Sequence, residues 1–449
     1  MTVEEFCLCL QRDCGVPPGA HVLAAVSGGA DSTALLCFLC QARERLSITV
    51  SCAHMEHGIR GASSLEDMRF VRSLCERLHV PLYTSRAHAP AYAAEHGCGL
   101  EDAARRLRYA FLEETARQCG AEFIALAHHM GDQAETVLMH AARGSDLRGL
   151  GAMRMRRGKI IRPLLCAQPQ ELRAYLNAIG QNWREDESNA DTAYARNHIR
   201  RLVMPALQAA YPGAQRALAQ LAMSAQRDED CFAALLSGLR VIALAGGAAL
   251  VRSEVETMHE ALLSRAVIRA LEAAGLPVSA QSVDTAVSLL RGGKNAQAAI
   301  PGPGRVSLGR KLLCVTREGA REETYPLAMD AKTQTPFGTF VIRDAREGET
   351  GDGVRAQAIA QEKLAGAYVS ARRPGDRMTP FGMRGEKKLQ DILTDAGVER
   401  ALRESVPVVR SGSGILWAAG VRASQDVLAQ DGQRMKLVEF SSEWLDEIT

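Results

Sequence analysis

Ser27-Gly28-Gly29-Ala30-Asp31-Ser32, set directly behind the apolar run His21-Val22-Leu23-Ala24-Ala25-Val26, decides how the rest of this chain is read. A short β-type run feeds a glycine turn, and the turn feeds a helical pattern from Thr33 to about Gln41. Such a corner aims consecutive backbone N–H groups and a helix N-terminus at one spot, which suits phosphate. The glycines permit positive φ and close backbone approach, while Ser27 and Ser32 add hydroxyl donors. No Lys follows the glycines, so this is not the Walker loop that cradles a transferable γ-phosphate. Asp31 stands there instead, and an acid beside phosphate makes sense mainly with a divalent cation between them. An ordinary strand–turn–helix corner shares this local pattern, so its surroundings must decide.

Working outward, strand and helix alternate four times between residue 21 and about residue 145. Strands are expected at His21–Val26, Ile48–His54, Pro81–Ser85 and Glu122–Ala127, and helices at Ser32–Arg45, Ser63–His79, Leu100–Cys119 and Asp132–Arg143. The third helix is the clearest: Leu100, Ala103, Ala104, Leu107, Ala110 and Phe111 repeat at helical spacing. Alternation of this kind predicts an α/β fold, a parallel doubly wound sheet with helices on both faces. Ligands in that class bind at the carboxyl ends of the strands, where the Ser27 loop sits. Ile160 to about Tyr211 extends this domain, with a helix at Gln170–Gly180; an alanine-rich helical region and two smaller mixed α/β domains follow.

Composition sets the bounds. A length of 449 residues predicts about three domains. The 47% hydrophobic and 24% charged content is that of a soluble globular protein, and a net charge of +2 does not by itself announce a nucleic-acid partner. Twelve Cys without paired spacings, and acids in Met1–Leu10 where a signal peptide has bases, predict a reduced, cytoplasmic protein. The stretch Cys231–Val251 is broken by Arg240, Gly238, Gly246 and Gly247, so it reads as helix, turn and strand rather than a membrane span.

Four further clusters carry chemistry. His128-His129-Met130-Gly131-Asp132-Gln133-Ala134-Glu135-Thr136 lies at the fourth strand-to-helix corner, where His128 and Asp132 can face one ligand. A capping Asp and a packed His would give the same pattern. Glu101, Arg105, Arg108 and Tyr109 sit at helical spacing, as a solvated salt-bridge face also does. Asp186-Glu187-Ser188-Asn189, an Asx/Ser turn, is followed by Arg196-Asn197-His198-Ile199-Arg200-Arg201, whose arginines suit phosphates. Arg372-Arg373-Pro374-Gly375-Asp376-Arg377 through Gly385-Glu386-Lys387-Lys388-Leu389 is a basic, Gly/Pro-punctuated surface that fits either an RNA backbone or plain solvent.

Together these residues resemble the tRNA(Ile)-lysidine synthase family in its long form, within the ATP pyrophosphatase (PP-loop) superfamily. The resemblance rests on Ser27–Ser32; His57-Gly58-Ile59-Arg60 with Ser63 or Ser64; Glu101, Ala104, Arg105, Arg108 and Tyr109; and His128, Asp132, Glu135 and Thr136. It continues through Arg143-Gly144, Arg162-Pro163-Leu164-Leu165, Asp186, Ser188, Asn189, Arg196-Asn197 and Ile199-Arg200 to Pro374-Gly375-Asp376-Arg377 with Gly385, Lys387, Lys388 and Leu389. Two positions depart from the family pattern: Glu56 precedes His57 where Asp is usual, and Gly131 stands where the first of two adjacent Asp is usual.

The resemblance implies an adenine nucleotide alpha-hydrolase-like catalytic domain at 1–211, a helical linker and substrate-binding domain at 212–317, a connection at 318–353 and a tRNA-binding domain at 354–449. It implies that ATP adenylates the wobble cytidine of a CAU-anticodon isoleucine tRNA, that free L-lysine then displaces AMP, and that some members are homodimers. Ser27, Gly28, Gly29, Ala30, Asp31 and Ser32 would bind ATP; Asp31, His128 and Asp132 would be catalytic, with Asp31 and Asp132 sharing Mg²⁺. Arg105, Arg108, Arg196, Arg200, Arg377, Lys387 and Lys388 would meet tRNA. A tRNA cytidine thiolase would instead need Cys ligands such as Cys37-Phe38-Leu39-Cys40, which lie in an apolar helix. A non-catalytic tRNA-binding relative is the other alternative, kept open by Gly131.

Overall fold

The structure, a computed structural model, describes residues 1–56, 62–185, 195–319, 323–412, 414–428 and 434–445. The motif residues His57 to Arg60 and Asp186 to Asn189, with the side chains of Ser63 and Ser64, lie outside the described residues. The chain forms two compact units, Met1–Cys231 and Phe232–Thr449.

The first unit is built on strands β1 (His21–Ala25), β2 (Thr49–Glu56), β3 (Leu82–Arg86), β4 (Phe123–Ala125), β5 (Arg156–Arg157) and β6 (Ile160–Ile161), in the order β3-β2-β1-β4-β6-β5. All neighbours are parallel except β5 and β6. β1 is central because Val22, Leu23 and Ala24 are apolar on both faces, as a parallel strand covered on both sides requires. Its helices are α1 (Val3–Leu8), α2 (Ala30–Leu46), α3 (Ala62–Arg77), α4 (Ala89–His96), α5 (Leu100–Cys119), α6 (Met130–Ala142), α7 (Leu147–Leu150), α8 (Pro169–Ala178), α9 (Ala195–His198), α10 (Met204–Ala210) and α11 (Ala214–Leu235).

One face of the sheet packs on α1, α2 and α8, where Phe38 stacks between Phe6 and Tyr175 at ring separations of 5.0 and 3.8 Å. The other face packs Leu23, Ala53 and Ile124 against Leu112 and Ala116 of α5. Each such aliphatic or aromatic side chain contributes about 1.5–3 kcal/mol on burial. The doubly wound parallel sheet is therefore as expected. β2 runs two residues beyond its expected end because Met55 and Glu56 pair with Ser85 and Arg86. α4, not foreseen, starts at Ala89 with Pro90 in its first turn and the His88 imidazole accepting the Ala91 N–H at 3.2 Å.

In the second unit, strands Val241–Leu244, Gly247–Val251, Ala296–Ile300, Gly304–Leu308 and Leu312–Arg317 make an antiparallel sheet, packed on helices Glu260–Ala273 and Ala280–Gly292. Two further sheets follow. Val408–Ser411 is central in one, beside Tyr368–Ser370, and Gly338–Asp344 pairs with the distant Met435–Ser441 in the other. Residues 324–344 supply strands to both, around a core that includes Phe340, Trp417, Phe440 and Trp444. Among the described residues no helix is long and apolar enough to cross a membrane.

Candidate active site

The Ser27–Ser32 corner is locked by its own side chains. Ser32 Oγ accepts the Ser27 and Gly28 N–H groups at 3.1 and 3.2 Å and donates to the Gly29 carbonyl at 3.1 Å. Thr33 Oγ1 donates to the Gly28 carbonyl at 3.3 Å. The loop is thus pre-shaped, and the first turn of α2 presents its unpaired N–H groups at the carboxyl end of β1. Gly28 has φ +99°, and a Cβ there would meet Phe70, Val71 and Arg184 at 3.5–3.9 Å. The space is adequate but the backbone is not, so Gly28→Ala should cost about 1–2 kcal/mol of stability and distort the loop. Urea unfolding together with ATP titration checks this; an unchanged ATP affinity would refute the role given to the loop geometry.

Two neighbouring histidines face opposite ways. His129 caps α6: its Nδ1 accepts the Asp132 N–H at 3.3 Å, while its own N–H donates to Asp132 Oδ2 at 3.0 Å. A ring whose Nδ1 accepts carries its proton on Nε2, which lies 3.6 Å from Asp31 Oδ2. His129, not His128, therefore adjoins Asp31. The spacing His129-x-x-Asp132, that of a reciprocal cap, was the available signal. Gly131 makes this arrangement possible, because a Cβ there would press on the His129 ring at 2.9 Å. Burial pushes the Asp31 carboxyl above its ordinary pKa, against the opposing pull of His129.

His128 faces arginines. Burial, with the charges of Arg162, Arg196 and Arg108, outweighs Asp132 and pushes its imidazole down to about 3. It is neutral at working pH, and its Nδ1 is buried without a hydrogen-bond partner. Arg105 lies over the Tyr109 ring at 5.0 Å, and Arg108 is pressed by burial and by like charges from Arg105 and Arg196.

Arg196 and Arg200, one helical turn apart, do not stand free for phosphate. Arg196 donates to Asp132 Oδ1 and Glu135 Oε2 at 3.1 Å each; Arg200 donates to Asp132 Oδ1 at 2.9 Å and to Glu135 at 2.6 and 2.9 Å. Asp132 and Glu135, three residues apart on α6, are both buried. The Asp132 carboxyl is driven up by burial but more strongly down by His129, Arg196 and His128, so it stays ionised. Both of its oxygens are engaged. The structure thus brings Asp31, His129 and Asp132 into one chain of contacts, with Asp132 committed to arginines. Glu56 ends β2 with its carboxylate 2.7 Å from Arg86 Nε, close enough for an ion pair though not aligned as a hydrogen bond.

The C-terminal basic residues belong to the second unit. Arg377 pairs with Glu386 at 2.7 Å, Lys387 pairs with Asp395, and Lys388 is exposed beside them on the same hairpin. Asp376 is structural: it accepts from the Arg373 N–H at 2.7 Å and from the buried Arg410 at 2.5 Å. Cys37 and Cys40 sit on the core side of α2, where burial pushes their thiols up to about 12 and about 11. Among the described residues no group of three His, Cys, Asp or Glu converges as a metal cluster.

Known proteins resemble this chain over most of its length. A family model described as the PP-loop domain matches residues 8–207, and one described as the TilS substrate C-terminal domain matches residues 368–439. The tRNA(Ile)-lysidine synthase of Geobacter sulfurreducens is 36% identical over 442 residues, spanning 94% of this chain and 93% of that one. That of Bacteroides thetaiotaomicron is 32% identical, spanning 90% and 91%. A crystal structure of a TILS C-terminal domain is 26% identical with a TM-score of 0.24, covering 27% of this chain and 96% of that one. With the phosphate loop at the head of one matched segment, and the likeness running through both units, the chain belongs to the tRNA(Ile)-lysidine synthase family.

Proposed function

We propose that this chain uses ATP to join lysine to C2 of the wobble cytidine in a CAU-anticodon isoleucine tRNA, releasing AMP and pyrophosphate. The observation that carries the reading is the Ser27–Ser32 corner, with Asp31 opening a helix at the carboxyl end of the central strand, in a chain aligned over 94% of its length with a relative named for this reaction. A base carbonyl oxygen is a poor leaving group, and linking it to AMP makes it a good one. In the first step O2 of the cytidine attacks the α-phosphorus and the bond to pyrophosphate breaks. In the second, the lysine ε-amino group adds at C2 and loses a proton, and the C2–O bond breaks to expel AMP.

The first-turn amides of α2 and the Ser27 and Ser32 hydroxyls hold the pyrophosphate portion of ATP. A nucleotide-bound Mg²⁺ takes one or two carboxylates and completes its shell with phosphates and water. Asp31, whose charge is costly without a partner, fits that single-carboxylate role; Asp132 is already saturated by Arg196, Arg200 and the His129 amide. Mg²⁺ on Asp31 would neutralise the departing pyrophosphate. His129 orients Asp31, and Asp132 with Glu135 fixes Arg196 and Arg200 beside the site. Arg105 and Arg108, with Arg377, Lys387 and Lys388 of the second unit, meet the tRNA backbone. A tRNA-modifying role also goes with a cytoplasmic location.

Incubating the full chain with ATP, labelled lysine and CAU-anticodon tRNA should give lysine-bearing tRNA and equimolar pyrophosphate, the first requiring all three substrates and the second requiring ATP and tRNA. Binding of tRNA without pyrophosphate release, or release indifferent to tRNA, would overturn the reading.

A further inference from the structure

Around His128 lies a cationic cluster in which the reaction as derived gives Arg105 and Arg108 only a general contact to the tRNA backbone and gives Arg162 and His128 no role. Leu126 N–H donates to the Ile161 carbonyl and Met130 N–H to the Ala167 carbonyl, both at 2.9 Å, so the His128 corner is clamped against the segment that carries Arg162. Arg162 is 6% exposed; its Nη1 donates to the Arg154 carbonyl at 2.9 Å, and its Nε is buried with no partner. The His128 Nδ1 is a second buried, unpartnered atom there. Tyr109 of α5 lies beside Arg162 and has Arg105 stacked on its ring, which brings Arg105 and Arg108 to the same place. Among the described residues no carboxylate forms an ion pair with Arg108 or Arg162, because Asp132 and Glu135 are taken by Arg196 and Arg200.

Half-buried and buried guanidinium groups with no ion-pair partner among the described residues are costly, and Glu101 offsets Arg108 only in part, so this cluster suits an anion that arrives from outside. ATP already has the Ser27 loop. Free lysine carries two ammonium groups against one carboxylate, so the guanidinium groups of Arg105, Arg108 and Arg162 repel it on balance. An RNA backbone is a polyanion whose phosphates match the planar guanidinium fork, and Arg105 is exposed at the edge of the cluster to meet it. We propose that Arg108 and Arg162, with His128 Nδ1, seat a phosphodiester adjoining the target cytidine, so that the extruded nucleotide is held by its backbone while its base faces ATP. The proposal rests on the tRNA-modifying reading above.

The test uses full-length CAU-anticodon tRNA carrying a neutral methylphosphonate on the 5′ or the 3′ side of the wobble cytidine, together with Arg108→Gln and Arg162→Lys chains. One of the two modified tRNAs should bind the unaltered protein roughly tenfold to a hundredfold more weakly, the loss of one charge-assisted contact. Arg108→Gln should weaken unmodified tRNA similarly and lower the salt slope of binding by about 0.7–0.9. Combining the variant with that methylphosphonate should add little. Additive losses, or full affinity for both modified tRNAs, would overturn the proposal. A rise in ATP or lysine KM with tRNA affinity intact would assign the cluster to a nucleotide phosphate or an amino-acid carboxylate instead. The modified tRNA needs no protein variant, so misfolding of Arg162→Lys cannot mask the result. Affinity is read directly, so the pocket is tested even if no lysine is incorporated, an outcome that would sink the underlying reading alone.

Discussion

Asp31→Ala should reduce tRNA-dependent pyrophosphate release by about a thousandfold or more, which is what losing several kcal/mol of charge stabilisation at a leaving pyrophosphate amounts to. The same change should leave the fold intact or slightly more stable at neutral pH. Burial raises the folded-state pKa of Asp31 above its unfolded value. A raised pKa contributes stability that is present below the unfolded pKa and lost as pH rises through the folded one, so at pH 7 the ionised Asp31 is a net cost. Its side chain is 38% exposed, which keeps that cost small. Function and stability should therefore move in opposite directions. Thermal melts beside single-turnover pyrophosphate release provide the measurement; retention of activity to within tenfold would remove Asp31 from the mechanism.

Glu135→Ala should be the most destabilising single change in the acid–arginine cluster. The Glu135 side chain is 5% exposed and takes three of the five hydrogen bonds that hold Arg196 and Arg200. Removing one partner of a buried ion pair costs about 3–5 kcal/mol, and the lower end applies because Arg200 retains 35% of its surface. The midpoint of the first unit's urea transition in the full chain reads this out. The double change Glu135→Leu with Arg200→Met should recover much of the loss, since neither charge is then left unpaired. A loss below about 1 kcal/mol for Glu135→Ala would mean that solvent screens the pair as at an ordinary surface.

How far these features could be read in advance varied with how local their causes are. α5 was legible to the residue, because its apolar repeat is bracketed by Gly99 and Gly120 at its two ends. Between residues 324 and 344 short strand signals were visible, but the strands' partners were not. Gly338–Asp344 owes its pairing to Met435–Ser441, about a hundred residues later, and no local pattern announces such a partner. Arg196 and Arg200 read as phosphate ligands because their spacing is visible and their partners, on another helix, are not. Arg162 was visible only within a family motif; its burial and its unpaired Nε appear only once β6 is laid beside β4.

The amino-acid sequence alone determined the parallel sheet, the phosphate corner at Ser27–Ser32, the family and the class of reaction. Each depends on backbone periodicity or on contiguous residues whose effect is felt within one turn of chain. Only the tertiary structure decided which of two adjacent histidines meets Asp31, that Asp132 is saturated by arginines, and that no carboxylate among the described residues forms an ion pair with Arg108 or Arg162. Those are questions of charge balance in a dry space, and the groups that settle the balance come from helices and strands far apart in the chain.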